Sequence, residues 1–282
     1  PNFHTDRLLL KYIKTEEVNN PRKLENNIAR AILSDLKING LEISSSGDMP
    51  SQTGLGSSSA FAVSLYHALQ AYLGKKAFPE DLASYACLTE IDKLKHPIGK
   101  QDQYASAYGG FNFYRFLPNG KVIVEPIMIS QKKKKELNEN LLLFYTGITR
   151  PANKILGEQK QNIKKSGETI SSLQKMVDIA REMKKLLERG DIGKFGELLH
   201  EGWILKQSMA STITNSIINN YYEIGLKNGA LGGKLLGAGG GGCLLFYCRK
   251  ENQEKLIKAL SDLRHIPFSF SDKGSEIIFE DA

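Results

Sequence analysis

Residues 54–59 read Gly-Leu-Gly-Ser-Ser-Ser, and an apolar helical stretch from Ala60 to Leu73 begins directly behind them. Two glycines one residue apart let a backbone turn tightly and come close to a ligand. The first amides of a helix have no intrahelical acceptor, and the helix dipole puts partial positive charge there. Such a segment makes either a phosphate seat or an ordinary strand–turn–helix with a serine cap. It is not a Walker A loop, because no Gly-x-x-x-x-Gly-Lys-Ser/Thr occurs in the chain.

Two further segments carry chemistry. Glu90 falls late on a helical pattern that starts near Pro79, and Gln101-Asp102-Gln103-Tyr104 follows in a Gly-bearing stretch. An acid flanked by amides suits a half-buried general base, and Glu90 and Asp102 could share a cation; two solvent-facing acids are the plain alternative. Residues 229–243 contain a literal G-x-G-x-x-G at Gly237, Gly239 and Gly242. A dinucleotide fingerprint needs a strand before it and a helix after it. Here the strand pattern Leu244 to Tyr247 follows instead, so the Rossmann reading is rejected. What remains is a glycine loop able to approach another loop or a ligand.

Along the rest of the chain, Asn20-Pro21 predicts a helix start, with Leu24, Ile28, Ala31 and Ile32 on one face. A short strand over 41–45 and a hairpin across Pro118-Asn119-Gly120 are expected. The run Lys132 to Lys135 reads as a solvated loop and a boundary between halves. Beyond it come a strand at Leu141 to Tyr145 and helices at about 152–165, 168–188, 191–207 and 215–228. A helix at about 251–263 and strands at about 266–270 and 275–279 close the chain. With 282 residues, 41% hydrophobic and 24% charged, this is a globular α+β chain of two halves meeting near residue 130. No run reaches the roughly 18 apolar residues of a membrane span. The net charge of +7 suits anionic small molecules or a merely basic surface. Cys87, Cys243 and Cys248 lack metal-ligand spacing and read as core thiols of a reducing, cytoplasmic compartment.

Pro50-x-x-x-Gly-Leu-Gly-Ser-Ser-Ser, then Glu90 with Asp102, then Lys234-Leu-Leu-Gly-Ala-Gly-Gly-Gly-Gly, in that order, resemble the GHMP small-molecule kinases. The stretches 99–112, 142–150 and 199–206 are similar, more narrowly, to the D-glycero-D-manno-heptose 7-phosphate kinases. The resemblance implies an α+β fold of two domains. An N-terminal ribosomal-protein-S5-like α/β domain over 1–130 would bind ATP, and a ferredoxin-like domain would span 131–282. It implies an ATP-dependent transfer to the anomeric hydroxyl of a sugar phosphate, with Mg²⁺. Gly54, Leu55, Gly56, Ser57, Ser58 and Ser59 would wrap the ATP phosphates. Ser58 and Glu90 would contact Mg²⁺, and Asp102 would take the proton from the sugar. Gln101 and the loop Gly237, Ala238, Gly239 and Gly240 would line the active site. Arg150 lies just past a strand end, where a bidentate guanidinium would clamp the sugar's phosphate; a surface arginine is the alternative. The family's first motif, a Pro-x-Arg strand with a glycine-rich turn, is absent, and the chain starts without Met. Either an N-terminal stretch contributing the first strands is missing, which is the expectation, or the chain is a degenerate paralogue.

Competing readings are a kinase for another sugar such as fucose, a non-catalytic ATP or sugar sensor, and a nucleic-acid binder. Glu90, Ser58 and Asp102 together argue against the sensor. The lack of aromatic–basic interleaving argues against nucleic acid. The expected partner is a small sugar phosphate, with no nucleic acid and no membrane, and a homodimer is allowed. Trp203 is expected to be a packing anchor, His67 a core or helix-edge residue, and His200 is left open as a substrate contact.

Overall fold

The computed structural model describes residues 7–149, 152–165 and 167–280. Among these the chain forms two compact units. One comprises residues 7–51, 56–110 and 272–280; the other comprises 52–55 and 111–271.

In the first unit, strand β1 (Leu8–Lys11) is central. It runs antiparallel to β2 (Thr15–Val18), with Leu8 opposite Val18. Helix α1 (Asn27–Leu36) precedes β3 (Glu42–Ser44), which pairs parallel to β1. The helix expected from Asn20-Pro21 begins later. Asn20 caps only a 3₁₀ turn over Pro21–Lys23, and Asn26 caps α1 by accepting from the Ala29 amide at 3.0 Å. Between the two caps the Glu16 carboxylate accepts from the backbone amides of Glu25 and Asn26, which holds Leu24 extended. Burial works against ionisation of Glu16, but these amides and the Tyr12 hydroxyl prevail and hold its carboxyl below the usual range.

Helices α2 (Ser57–Tyr72), α3 (Pro79–Cys87) and α4 (Gln101–Tyr108) pack on one another. α3 does not simply end: it passes into a π-helical segment, Leu88–Lys93, which carries Glu90. Residues 272–276 pack beside the end of α4, where a Cβ on Gly109 would lie 2.1 Å from the Lys273 backbone.

The second unit holds the hairpin β4 (Asn112–Phe116) and β5 (Val122–Pro126), helix α5 (Gln131–Glu139) and strand β6 (Leu141–Tyr145). Helices α6 (Ala152–Lys165), α7 (Gly167–Glu188), α8 (Phe195–Gln207) and α9 (Ser216–Lys227) follow. Strands β7 (Ala230–Leu235) and β8 (Cys243–Cys248), helix α10 (Gln253–Ala259) and strand β9 (Arg264–Ile266) complete it. The sheet order is β7-β8-β6-β9, antiparallel throughout. Period-two alternation divides its side chains between two clusters. Leu142, Phe144, Leu244 and Phe246 join Trp203 and Tyr222, while Leu141 and Tyr247 join Leu137 and Leu187.

Several expectations change here. Lys132 to Lys135 lie in α5 rather than a loop: Ser130 caps the helix, and the fully buried Leu137 anchors it. The unit boundary falls after Gly110, whereas the sequence suggested about 130. Glu125 of the β4–β5 hairpin pairs with Lys184 of α7 at 2.5 Å, which ties the hairpin to the second unit. Residues 267–280 form no strand beyond β9, and over 268–270 Asn138 takes the place of a ladder partner. Its amide donates to the Phe268 carbonyl at 3.1 Å, and its oxygen accepts from the Phe270 amide at 2.8 Å. The helix expected over 251–263 is shorter, a 3₁₀ turn over Lys250–Asn252 followed by α10. Among the described residues no helix is long and apolar enough to cross a membrane.

Candidate active site

α2 begins at a glycine in the left-handed region, Gly56, at φ 71° and ψ 21°. No side chain caps this helix, so its serines do not serve as the cap that the sequence allowed. Two of them turn to Glu90 instead. Ser58 Oγ donates to Glu90 Oε1 at 2.5 Å, and Ser59 Oγ donates to Oε2 at 2.8 Å. Gln103 Nε2 of α4 also donates to Oε2, at 2.7 Å. Glu90 and Gln103 are both 0% exposed. A carboxylate withdrawn from water normally has a cationic partner. Glu90 has three neutral donors and no lysine or arginine among the described residues.

Glu90 reaches these serines from within the π-helical segment. Its buried residues are Thr89 and Glu90, side by side. Segments with i→i+5 bonding are uncommon and recur at functional sites.

Asp102 lies one residue before Gln103 on α4 and is half-buried. A Cβ added to Gly56 would sit 3.2 Å from Asp102 Cβ and Cγ and 3.5 Å from its Oδ2. The Asp102 carboxyl therefore lies directly over the turn that opens α2. Gln101, exposed, donates from Nε2 to Asp102 Oδ1 at 3.3 Å. One unit thus brings together Gly56, Ser58, Ser59, Glu90 and Asp102.

Gly54 and Leu55 belong to the second unit, joined to Gly56 by the chain itself. Gly54, at φ 81°, meets Gly237: a Cβ on Gly237 would lie 2.5 Å from Gly54 Cα. Gly237 to Gly242 connect β7 to β8, and the loop is fastened at both ends. Gly240 N donates to the Ile213 carbonyl at 2.8 Å, and Cys243 N donates to the Thr53 carbonyl at 3.1 Å. Lys206 Nζ donates to the Gly237 carbonyl. Gly237, Ala238, Gly239 and Gly240 thus lie in the turn between β7 and β8 and carry little side chain. The strand before the glycines, β7, was not expected. It is antiparallel to β8, so the motif remains incompatible with a dinucleotide fold.

Arg150 lies outside the described residues. Trp203 is a packing anchor, 1% exposed. His67 is half-buried beside Ser275 at 2.8 Å, and His200 is engaged with the Tyr222 hydroxyl at 2.8 Å. Cys87, Cys243 and Cys248 are buried free thiols. The sequence reading missed Gln103. Its signal was the spacing of Gln103, Tyr104 and Ala107 on the buried face of α4, where a glutamine needs a partner.

Residues 23–110 match the model of the GHMP kinases N terminal domain, and residues 183–264 match that of the GHMP kinases C terminal. The chain belongs to the GHMP kinases, and it is an ATP-dependent sugar kinase by that kinship. It is 32% identical over 270 residues to a D-glycero-alpha-D-manno-heptose 7-phosphate kinase of Campylobacter jejuni subsp. jejuni, covering 94% of this chain and 79% of that one. It is 26% identical to a bifunctional fucokinase/GDP-fucose pyrophosphorylase of Arabidopsis thaliana, over 87% of this chain and 24% of that protein. Its fold matches the crystal structure of a putative sugar kinase from Campylobacter jejuni with a TM-score of 0.76 at 29% identity, over 97% of this chain and 83% of the other.

Proposed function

We propose that the chain transfers the γ-phosphoryl group of Mg-ATP to the anomeric hydroxyl of D-glycero-D-manno-heptose 7-phosphate, giving the 1,7-bisphosphate and ADP. The observation that carries this reading is the Glu90 carboxylate, buried beside Ser58 at the mouth of an uncapped helix, with Asp102 lying over the same turn. The heptose phosphate comes from the relative that is 32% identical over most of the chain.

Gly54 to Ser59 cradle the nucleotide phosphates with backbone amides at the start of α2. Ser58 Oγ and Glu90 Oε1 are hard oxygen donors that would hold Mg²⁺, and the uncompensated buried carboxylate fits a divalent cation. Mg²⁺ held there would supply charge neutralisation for the transferred phosphoryl group. Asp102 accepts the proton of the sugar hydroxyl as its oxygen takes the phosphoryl group. This base role is worth about 10²–10⁴ in rate, while positioning and charge account for most of the rest. By the family resemblance, Gln101, the Gly237–Gly240 turn and Arg150 would each contact the sugar phosphate, Arg150 through its guanidinium. The first unit acts as the ATP-binding domain, in the cytoplasm where ATP is supplied.

A second reading, a fucose kinase, is favoured by the likeness to the Arabidopsis protein. ADP release with Mg-ATP separates the two. Turnover that requires the heptose phosphate supports the proposal, and turnover with fucose alone refutes it.

A further inference from the structure

The two oxygens of Glu90 are treated differently. Oε1 faces Ser58, which is exposed to solvent. Oε2 faces inward and accepts from Ser59, 3% exposed, and from Gln103, 0% exposed. The carboxylate is thus pinned at its inner oxygen and presents its outer one beside a hydroxyl.

Gln103 makes this contact at a cost. Its own Oε1 is buried with no hydrogen-bond partner. An apolar side chain of similar volume would fill the site without an orphan acceptor. Packing alone therefore does not call for glutamine, whereas a carboxylate that must be held by a neutral donor does. A lysine or arginine there would neutralise Glu90, and a second acid would repel it.

We propose that Gln103 is a positioning residue that fixes the rotation of the Glu90 carboxylate and ties it to the helix bearing Asp102. This rests on the reading of Glu90 as a metal ligand. Gln103 follows Asp102 directly on α4, so one helix sets both the carboxylate that would meet the cation and the acid that would meet the sugar. Partners that orient a metal ligand typically change metal affinity by about 10–100-fold when removed.

The test is Mn²⁺ binding, read by electron paramagnetic resonance in the presence of a non-hydrolysable ATP analogue, with analogue alone subtracted. Gln103→Met keeps the volume and removes the donor. The expected result is a Mn²⁺ affinity lowered about 10–100-fold, with the Mg²⁺ concentration for half-maximal turnover raised in step and KM for the sugar unchanged. A folded Gln103→Met that binds Mn²⁺ within about twofold of the parent overturns the proposal. So does a fall in kcat with an unaltered Mg²⁺ requirement, which marks a merely structural residue. Should that variant fail to fold, Ser59→Ala removes the other donor to Oε2: weakened Mn²⁺ binding supports pinning, and parental binding refutes it. A parent that binds Mn²⁺ but phosphorylates no sugar sinks the substrate reading and leaves this one standing. A parent that binds no Mn²⁺ sinks both.

Discussion

Replacing Gly56 by alanine should damage catalysis more than folding. The residue sits at φ 71°, where a side chain costs about 1–2 kcal/mol. The new Cβ would lie 3.2 Å from two carbons of Asp102, inside the usual 3.5–4.0 Å contact distance. α4 cannot back away easily, because Gln103 is tied to Glu90 at 2.7 Å and Tyr104 to Glu80 at 2.8 Å. The Asp102 side chain must therefore rotate, and displacing a catalytic group by about 1 Å can cost about 10²-fold. The expected kcat is about 10–100-fold lower, with KM for ATP changed far less because the α2 amides remain. Gly74→Ala is the control. It has the same kind of backbone, at φ 66°, with nothing within 4 Å of a Cβ. It should lose comparable stability, about 3–8 °C in melting temperature, and keep its kcat. Steady-state kinetics and thermal unfolding of both variants decide the matter. A Gly56→Ala enzyme with parental kcat, or a Gly74→Ala enzyme equally impaired, refutes the argument.

Three further outcomes are expected. Trp203→Ala should cost about 3–5 kcal/mol in chemical denaturation, while Trp203→Phe should cost much less, because the Trp203 Nε1 is buried without a partner and its removal offsets lost volume. The three thiols should resist Ellman's reagent in the native state and react fully once unfolded, since burial pushes Cys87 up to about 12 and Cys243 and Cys248 up to about 11. Burial holds the imidazoles of His67 and His265 below their ordinary value, so the unfolded chain binds more protons just below about pH 6.5. Stability should therefore fall as pH drops through that value, and His67→Gln should flatten the slope in denaturation curves measured across it.

The site was more legible in the sequence than its scaffolding. The Gly54 to Ser59 loop was visible by residue type, while Glu90 and Asp102 were singled out only by the ordered resemblance to the GHMP kinases. Their mutual geometry was not legible, since the sequence pattern predicted one continuous helix from Pro79 where the structure passes into a π-helical segment at Leu88. Two asparagine caps six residues apart competed for the start of α1. The choice between them is made by Glu16, which comes from a different strand. β7 was hidden because Gly232-Gly233 look like turn residues. They are glycine for a tertiary reason: a Cβ on Gly232 would lie 1.9 Å from the Gly196 carbonyl of α8. The lysine run concealed a helix because only the buried Leu137 marks its inner face.

The central claim is tested most directly by following phosphate transfer from Mg-ATP to D-glycero-D-manno-heptose 7-phosphate by phosphorus NMR, in the parent and in Asp102→Asn. The account predicts a new anomeric phosphate resonance appearing with ADP, slowed about 10²–10⁴-fold in the variant, which still binds Mg-ATP. No anomeric phosphate from the parent, or undiminished transfer by Asp102→Asn, would contradict it.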